Sequence, residues 1–480
     1  MEVAGHSIDS NRSCHNQKIL IMKKIIFILV IHFCQVDLYA QTSQTFKPLR
    51  YDEDYASLKK DSSLNWYKKT KYSPLSKNGK TYVSFGGEIR YQYFYFKNED
   101  WGESPKDKDG YILTRYLTHA DSHFGKYLRS FIQLQSSLAN GKVARTSGVD
   151  ENQLDLHQAF IDITLPVVSK QQHLLLRFGR QEFSYGSQRL VALRDGPNNR
   201  QSFDAAKLMY TNERLKGDAF FSHYVLSKQN IFDDGYNSNT KFWGAYVVIK
   251  KIPLLPNTDF YYLGLSKTST TFDDGKGKEI RHSIGTRIWK KSDNWQYDIE
   301  GLYQFGKFAA KDISAWTISS NTSYSFSSWK FKPQIGLKTE LITGDKNYGD
   351  NKLNSFNPLF PRGAYFGLAA LIGPSNLEDI HPSVSFNLSK NMDLTFDYDA
   401  FWRYSRNDGI YAPNTALIYS GKNNDSKFIG QQYATELTYT PNMFLYFRVE
   451  FTWFKPEAYL KKASAGKNIL FTGFTAQLKF

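Results

Sequence analysis

The chain has 480 residues, of which 22% are charged, with a formal net charge of +15 and a mean hydropathy of −0.50. After residue 40 no apolar run approaches the roughly 20 residues a membrane helix needs, which excludes a helical membrane protein. Aromatic residues nonetheless make up 16% of the chain, with 36 Phe and 32 Tyr. That excess in a polar chain suits a transmembrane β-barrel, whose strands carry lipid-facing apolar side chains, interfacial aromatic girdles and a polar lumen face.

In chain order, Lys23 and Lys24 precede an apolar run from Ile25 to Phe33, and Leu38-Tyr39-Ala40 ends on a small residue before Gln41. This is the layout of a secretory signal, with Met22 as the expected start, residues 1–40 lost on export and residues 41–80 a periplasmic N-terminal segment. Cys14 and Cys34 both fall in the removed part, so the mature chain offers no disulfide and no thiolate metal site. No small-residue lipobox precedes Cys34. The mature charge stays strongly positive, which in an exported protein suggests an anionic partner or permeant. Nucleic acid fits that charge but not the destination.

From Val83 the pattern has period two. Val83, Phe85, Ile89, Tyr91, Tyr93 and Tyr95 share one face, and Ser84, Glu88, Arg90 and Gln92 the other. The pattern predicts eighteen strands, at 83–96, 111–121, 127–138, 155–164, 173–181, 203–211, 217–226, 241–250 and 258–266, then 280–289, 295–306, 312–320, 330–341, 377–388, 392–405, 428–440, 443–455 and 469–480. The expected fold is all-β, a single antiparallel barrel over residues 81–480. The connections alternate: compact ones such as 389–391 against long ones such as 182–202, 267–279, 342–376 and 406–427. Short periplasmic turns and long extracellular loops have that rhythm. The chain ends on Phe480 in an alternating strand that closes the sheet and removes its open edge.

No phosphate loop, HExxH, CxxC or GxSxG motif occurs. We expect no enzyme activity, no cofactor and no metal. His119 and Asp121 could share a strand face, and Asp397 with Asp399 invites a glycosidase reading; ion pairing across a barrel wall explains both more simply. Alternation places Arg90, Arg115, Arg129, Arg177, Lys207, Arg287, Lys338, Arg403 and Arg448 toward the lumen. A charge facing lipid at the midplane would cost about 2–4 kcal/mol. Inward acids (Glu88, Asp162, Asp298, Glu300, Glu340, Asp397, Asp399, Glu436 and Glu450) oppose them, with Asp397 and Asp399 set beside Arg403. Two outcomes follow. The basic groups select anions, as rings of cations do, or the two sets neutralise each other. Phe94 and Phe401, also inward, could stack on sugar rings.

Several motifs in order and spacing resemble the alginate export porin family. They are LRYDEDY at 49–55, SFGGEIR at 84–90, GRQEFSYGSQRL at 179–190, RQSFDAAKL at 200–208, YDIEGLYQFG at 297–306, TGDKNYGD with FNPLFPRGAYFG from 343 to 367, and FWRYSRNDGIY at 401–411. The resemblance implies a monomeric eighteen-stranded outer-membrane barrel of a Gram-negative cell, passing an anionic polyuronate through a loop-gated, arginine-rich pore. On motif matches it nominates Arg90, Arg177, Arg180, Arg189, Arg200 and Arg403 for the pore or its loops. Glu88, Asp204 and Glu300 are their expected ion-pair partners. Lys207 and Lys338 depart from a bidentate guanidinium pattern. The expected partners are outer-membrane lipid, an anionic polysaccharide or oligosaccharide, and periplasmic secretion proteins. The competing expectations are a general or differently selective porin for small solutes, a barrel-embedded hydrolase, and an adhesin built on the external loops.

Overall fold

The computed structural model describes residues 46–61, 65–167, 169, 171–250 and 256–480. The expected leader, its start at Met22 and its cleavage after Ala40 lie outside the described residues. Residues 47–480 form one compact unit. Eighteen antiparallel strands build it. The first six are β1 (Thr81–Lys97), β2 (Tyr111–Phe124), β3 (Leu128–Asn140), β4 (Asn152–Leu165), β5 (His173–Gln181) and β6 (Phe203–Thr211). The next six are β7 (Leu215–Tyr224), β8 (Thr240–Ile249), β9 (Asn257–Phe272), β10 (Gly275–Lys291), β11 (Trp295–Phe308) and β12 (Lys311–Ser325). The last six are β13 (Gln334–Ile342), β14 (Leu377–Ser389), β15 (Met392–Trp402), β16 (Phe428–Tyr439), β17 (Leu445–Pro456) and β18 (Ile469–Lys479).

Each strand pairs with its sequence neighbours, and β1 closes on β18 from Glu88↔Lys479 to Lys97↔Leu470. Phe480 completes the seam, because its N–H and C=O bond the C=O and N–H of Gly87 at 3.0 and 2.8 Å. Closure matters physically. In hydrocarbon an unpaired backbone group costs several kcal/mol, about 4–8 in the most apolar reference, so an open edge is not tolerated.

The side chains follow the pleat. On β11, Trp295, Ile299, Tyr303 and Phe305 are exposed on the outside, while Glu300 and Gln304 are buried inside. The same outward apolar series recurs in Ile89, Ile132, Ile161, Phe178, Ile318, Phe396 and Phe451. This is the face that lipid covers.

The predicted strands are present, with differences at several ends: β12 runs on to Ser325 past the expected 320, and β13 begins at Gln334 instead of 330. The expected loop 267–279 is mostly strand, since β9 and β10 run on to a tight turn at Asp273-Asp274. The extension is sustained because it has something to bury. Phe272 packs edge-on to Phe308 at 5.4 Å and near Tyr411 of a neighbouring loop at 6.1 Å. The expected strand 392–405 stops at Trp402, which takes Arg403 out of the wall. Connections 182–202, 343–376 and 403–427 lie at one end of the barrel, here the loop end. Short links such as 212–214 and 390–391 lie at the other, the turn end.

Residues 47–61 and 65–80 pack against the turn end, the latter through a helix, Trp66–Lys71, and a two-residue strand, Ser73–Pro74, that pairs with Tyr82 and Val83. Tyr67 meets Phe444 edge-on at 5.1 Å.

Ile299→Lys would place an ammonium on the lipid-facing wall. We expect about 2–4 kcal/mol of lost stability if the site lies at the midplane, read as a lower urea midpoint in refolding into vesicles.

Candidate functional site: a loop-filled, charge-laddered lumen

Loops 182–202 and 343–376 turn inward, and apolar anchors explain why. Phe183 stacks on Phe203 at 4.8 Å and lies tilted against Phe220 at 4.8 Å. Phe360 of the second loop sits 5.0 Å from both Phe203 and Phe242 and stacks on Tyr224 at 5.2 Å. The loops also share backbone bonds: Phe360 N–H donates to Leu190 C=O at 2.9 Å and Ala192 N–H to Phe360 C=O at 3.0 Å. Gly363 permits their closest approach, because a Cβ there would lie 2.4 Å from Pro197 Cγ. A polar 21-residue connection thereby acquires a hydrophobic core inside the barrel.

Most inward cations are neutralised where they stand. Arg115 bonds Glu88 at 2.5 Å and Asp195 at 2.6 Å. Arg129 forks onto Asp121 with two bonds of 2.7 Å, and Arg177 onto Asp162 at 2.7 and 2.8 Å. Lys207 pairs with Asp218 at 2.7 Å, Arg287 with Asp259 and Asp298 at 2.9 and 2.6 Å, and Arg448 with Glu436 at 2.5 Å and with Glu450. Arg189 lies 3.2 Å from Glu340 and 3.6 Å from Glu300. Arg200 lies 2.8 Å from Asp195 and 3.3 Å from Glu182. Glu182 also meets His157 at 2.9 Å. Lys338 is 3.5 Å from Glu340, and its ammonium lies 4.5 Å from the ring centres of both Tyr365 and Phe366. Removing one member of such a buried pair strands the other's charge, which typically costs 3–5 kcal/mol. The ladders therefore hold the wall and loops in one arrangement.

Two of the nominated residues lie off the inward face of the wall. Arg180 pairs with Asp204 at 2.8 Å on the outward face, since the inward positions of that strand pair belong to Gly179 and Ala205. Arg403 is fully buried beyond the end of β15. Its guanidinium donates to the carbonyls of Arg406, Asp408, Asn424 and Ser426 and stacks 4.1 Å over Tyr459. It clamps loop 403–427. Asp397 and Asp399 accordingly meet His381, at 3.0 and 2.6 Å, instead of Arg403. Arg90 is buried and donates to the carbonyls of Asp195 and Pro197 at 2.5 and 2.7 Å, so it pins loop 182–202 without a carboxylate of its own among the described residues. Phe94 and Phe401 are inward as expected, but packed into the loop core.

Two cations that alternation could not find stand at the seam of the loops. Arg194 donates to the Asn199 carbonyl at 3.3 Å and the Tyr224 hydroxyl at 3.0 Å. Arg362 is exposed, with its guanidinium 5.5 Å from the Tyr365 ring centre. Neither forms an ion pair among the described residues. Both come from irregular loop backbone, where a period of two carries no information. The only sequence signal was the charge itself inside RLVALRDG and FPRGAYFG.

At the loop end lies a second cluster, of acids. Asp345 N–H donates to Asp408 Oδ2 at 2.8 Å, and Asp408 also accepts from Ser355 Oγ at 2.6 Å and Tyr411 Oη at 2.5 Å. Burial pushes Asp408 up to about 6. Burial, with Asp408 and Asp274 nearby, pushes Asp345 up to about 7.

Residues 81–468 match the alginate export family. The chain belongs to the alginate export family. Comparison with curated protein sequences finds no match. Among solved structures, the outer membrane protein OprD from Pseudomonas aeruginosa is 14% identical with a TM-score of 0.53, over 86% of this chain and 96% of that one. Pseudomonas aeruginosa OccK2 (OpdF) in complex with glucuronate is 11% identical with a TM-score of 0.54, over 83% and 98%. Pseudomonas aeruginosa OpdK with vanillate is 10% identical with a TM-score of 0.56, over 83% and 98%. At these identities the likeness is one of fold. This alginate export barrel is an outer-membrane channel and not an enzyme.

Two outcomes test the loop architecture of the alginate export barrel. Phe360→Ala removes the side chain common to both loops, a loss of about 3–5 kcal/mol for a buried Phe. We expect faster protease cleavage in 182–202 and 343–376 while the barrel keeps its heat-modifiable gel mobility. The acid cluster sets a pH dependence. Both folded carboxyls titrate above their unfolded value of about 4, so the stability they lend is full below about pH 4 and is lost as pH rises through about 6–7. Loop cleavage should therefore be faster at pH 8 than at pH 5. Asp345→Asn, which keeps an acceptor for Asn354 N–H and cannot ionise, should flatten the difference.

Proposed function

We propose that the channel passes an acidic polysaccharide or oligosaccharide, an alginate-like polyuronate, by passive and anion-selective diffusion. The observation carrying this reading is the unneutralised positive charge of Arg194 and Arg362 at the seam of loops 182–202 and 343–376. Most wall cations are paired, so these two loop guanidiniums weigh heavily in the sign of the field that a permeant meets. Guanidinium groups grip carboxylates through a planar fork, and a series of weak sites lets a polymer enter one site as it leaves the last. Lys338, held by Glu340 only at 3.5 Å, extends the seam. The glucuronate and vanillate named with OccK2 and OpdK are carboxylate-bearing rings, which accords with this chemistry. Arg90, Arg115, Arg189 and Arg200 act on this reading by holding the seam in place. We place the turn end with residues 47–80 in the periplasm and the long loops outside, in a monomeric barrel able to meet periplasmic secretion partners. No energy source is needed, so direction follows the gradient.

One observation favours a second reading, a general or differently selective porin for small solutes. The paired walls of Arg129, Arg177, Arg287 and Arg448 leave much of the lumen close to neutral.

Planar bilayers with a KCl gradient separate the two. The first reading expects a reversal potential on the anion side and current block by added polyuronate. The double variant Arg194→Ala/Arg362→Ala should move the reversal potential toward zero. A cation-selective wild-type channel that polyuronate does not block would reject the first reading.

A further inference from the structure

Residues 47–60 do more than cap the turn end, because two of them reach inside. Arg50 is buried and donates to Gly87 C=O at 2.8 Å and Phe480 C=O at 2.9 Å, hooking the segment onto the seam where the barrel closes. Next to it, Tyr51 enters a slot lined by a stacked pair of inward rings and by Arg177. Phe131 and Phe160 stack on each other at 5.3 Å, and Tyr51 stands edge-on to both, at 6.0 and 5.3 Å. The Arg177 guanidinium covers the ring, 4.1 Å from its centre and 3.9 Å from that of Phe160.

The polar contacts of the slot are those of a ligand site. Arg129 Nη2 donates to the Tyr51 carbonyl at 2.5 Å, beyond the two bonds it gives Asp121. The Tyr51 hydroxyl donates to Glu182 C=O at 2.8 Å, the first residue of the inward loop. Arg177 spends Nε and Nη2 on Asp162, while its Nη1 is buried with no hydrogen-bond partner. A buried guanidinium N–H left unsatisfied is expensive. It belongs to the guanidinium that lies over the Tyr51 ring, and the Tyr51 carbonyl accepts from Arg129 instead.

We propose that this slot is a binding site for a carboxylate-bearing ring, and that Tyr51 is its resident occupant, displaced when the permeant enters. A pyranose or aromatic ring would lie against Phe131 and Phe160. Its carboxylate would take the Arg129 Nη2 donor from the Tyr51 carbonyl and supply the acceptor that Arg177 Nη1 lacks. Its hydroxyl would donate to Glu182 C=O. Displacement is local, because the rest of the strap has separate footing: Tyr55 and Leu58 pack with Tyr72 and Tyr82 at the mouth. Tyr51 would leave together with Arg50, Pro48 and Leu49, the last two held by a 3.4 Å bond from Arg200 Nη1 to the Pro48 carbonyl and by packing of Leu49 against the Tyr51, Phe131 and Phe160 cluster. Since Glu182 belongs to loop 182–202, the exchange would also report to the seam. The choice of ligand rests on the anion-channel reading above.

The test is equilibrium binding of glucuronate to the detergent-solubilised barrel by calorimetry, together with KCl conductance in bilayers. An occupant that competes lowers the apparent affinity by the fraction of time it holds the site. Tyr51→Ala should therefore bind glucuronate severalfold more tightly than wild type, and Tyr51→Ala/Phe160→Ala should lose that gain. Arg50→Lys unhooks the strap without touching the slot and should shift affinity in the same direction, which keeps the question open to decision if Tyr51→Ala fails to fold. Unchanged glucuronate affinity in both Tyr51→Ala and Arg50→Lys would overturn the proposal. Reversal potentials report on Arg194 and Arg362 and not on this slot. A cation-selective channel with tighter glucuronate binding in Tyr51→Ala would thus reject the anion-channel reading and keep the site.

Discussion

Everything in this molecule depends on a bilayer offering no hydrogen bonds. The strands must pair all the way round, and β1 finding β18 is the step that makes the sheet admissible in lipid. Period-two alternation then sorts the side chains without further instruction, apolar outward and polar inward. The strap and Phe480 meet at that same seam, since Arg50 reads the carbonyls of Gly87 and Phe480 only when the ends of the sheet are together.

Sorting charge inward creates a second requirement. A guanidinium in a narrow lumen needs a partner, and the structure supplies one almost everywhere: Arg115 with Glu88, Arg177 with Asp162, Arg287 with Asp298. The result is a wall whose formal charge overstates its field. Two of the cations that remain without an ion pair among the described residues, Arg194 and Arg362, come from the loops, and the loops are inside because Phe183 and Phe360 bury themselves against Phe203 and Phe242. Hydrophobic packing at the loop end of the lumen thus decides where Arg194 and Arg362 stand.

The barrel was legible from residue pattern to a close degree, because each strand reports its own two faces locally. The inward assignment of Arg90, Arg115, Arg129 and Arg177 followed from the same rule. It failed at Arg403, where alternation was extended past the end of β15; Arg180 was nominated by motif against its own parity. Arg194 and Arg362 escaped because a loop has no period to read. Arg177 was found, yet its stacking on Tyr51 was not, since residues 47–60 are distant in sequence and touch the wall only after closure.

The sequence by itself determined the class of molecule, the strand count and which face of each strand meets lipid, for these depend on neighbours two residues apart. Only the tertiary structure decided which charges cancel, which remain, and that the N-terminal strap occupies a slot in the lumen. Those outcomes depend on distances between residues far apart along the chain, and no local pattern encodes them.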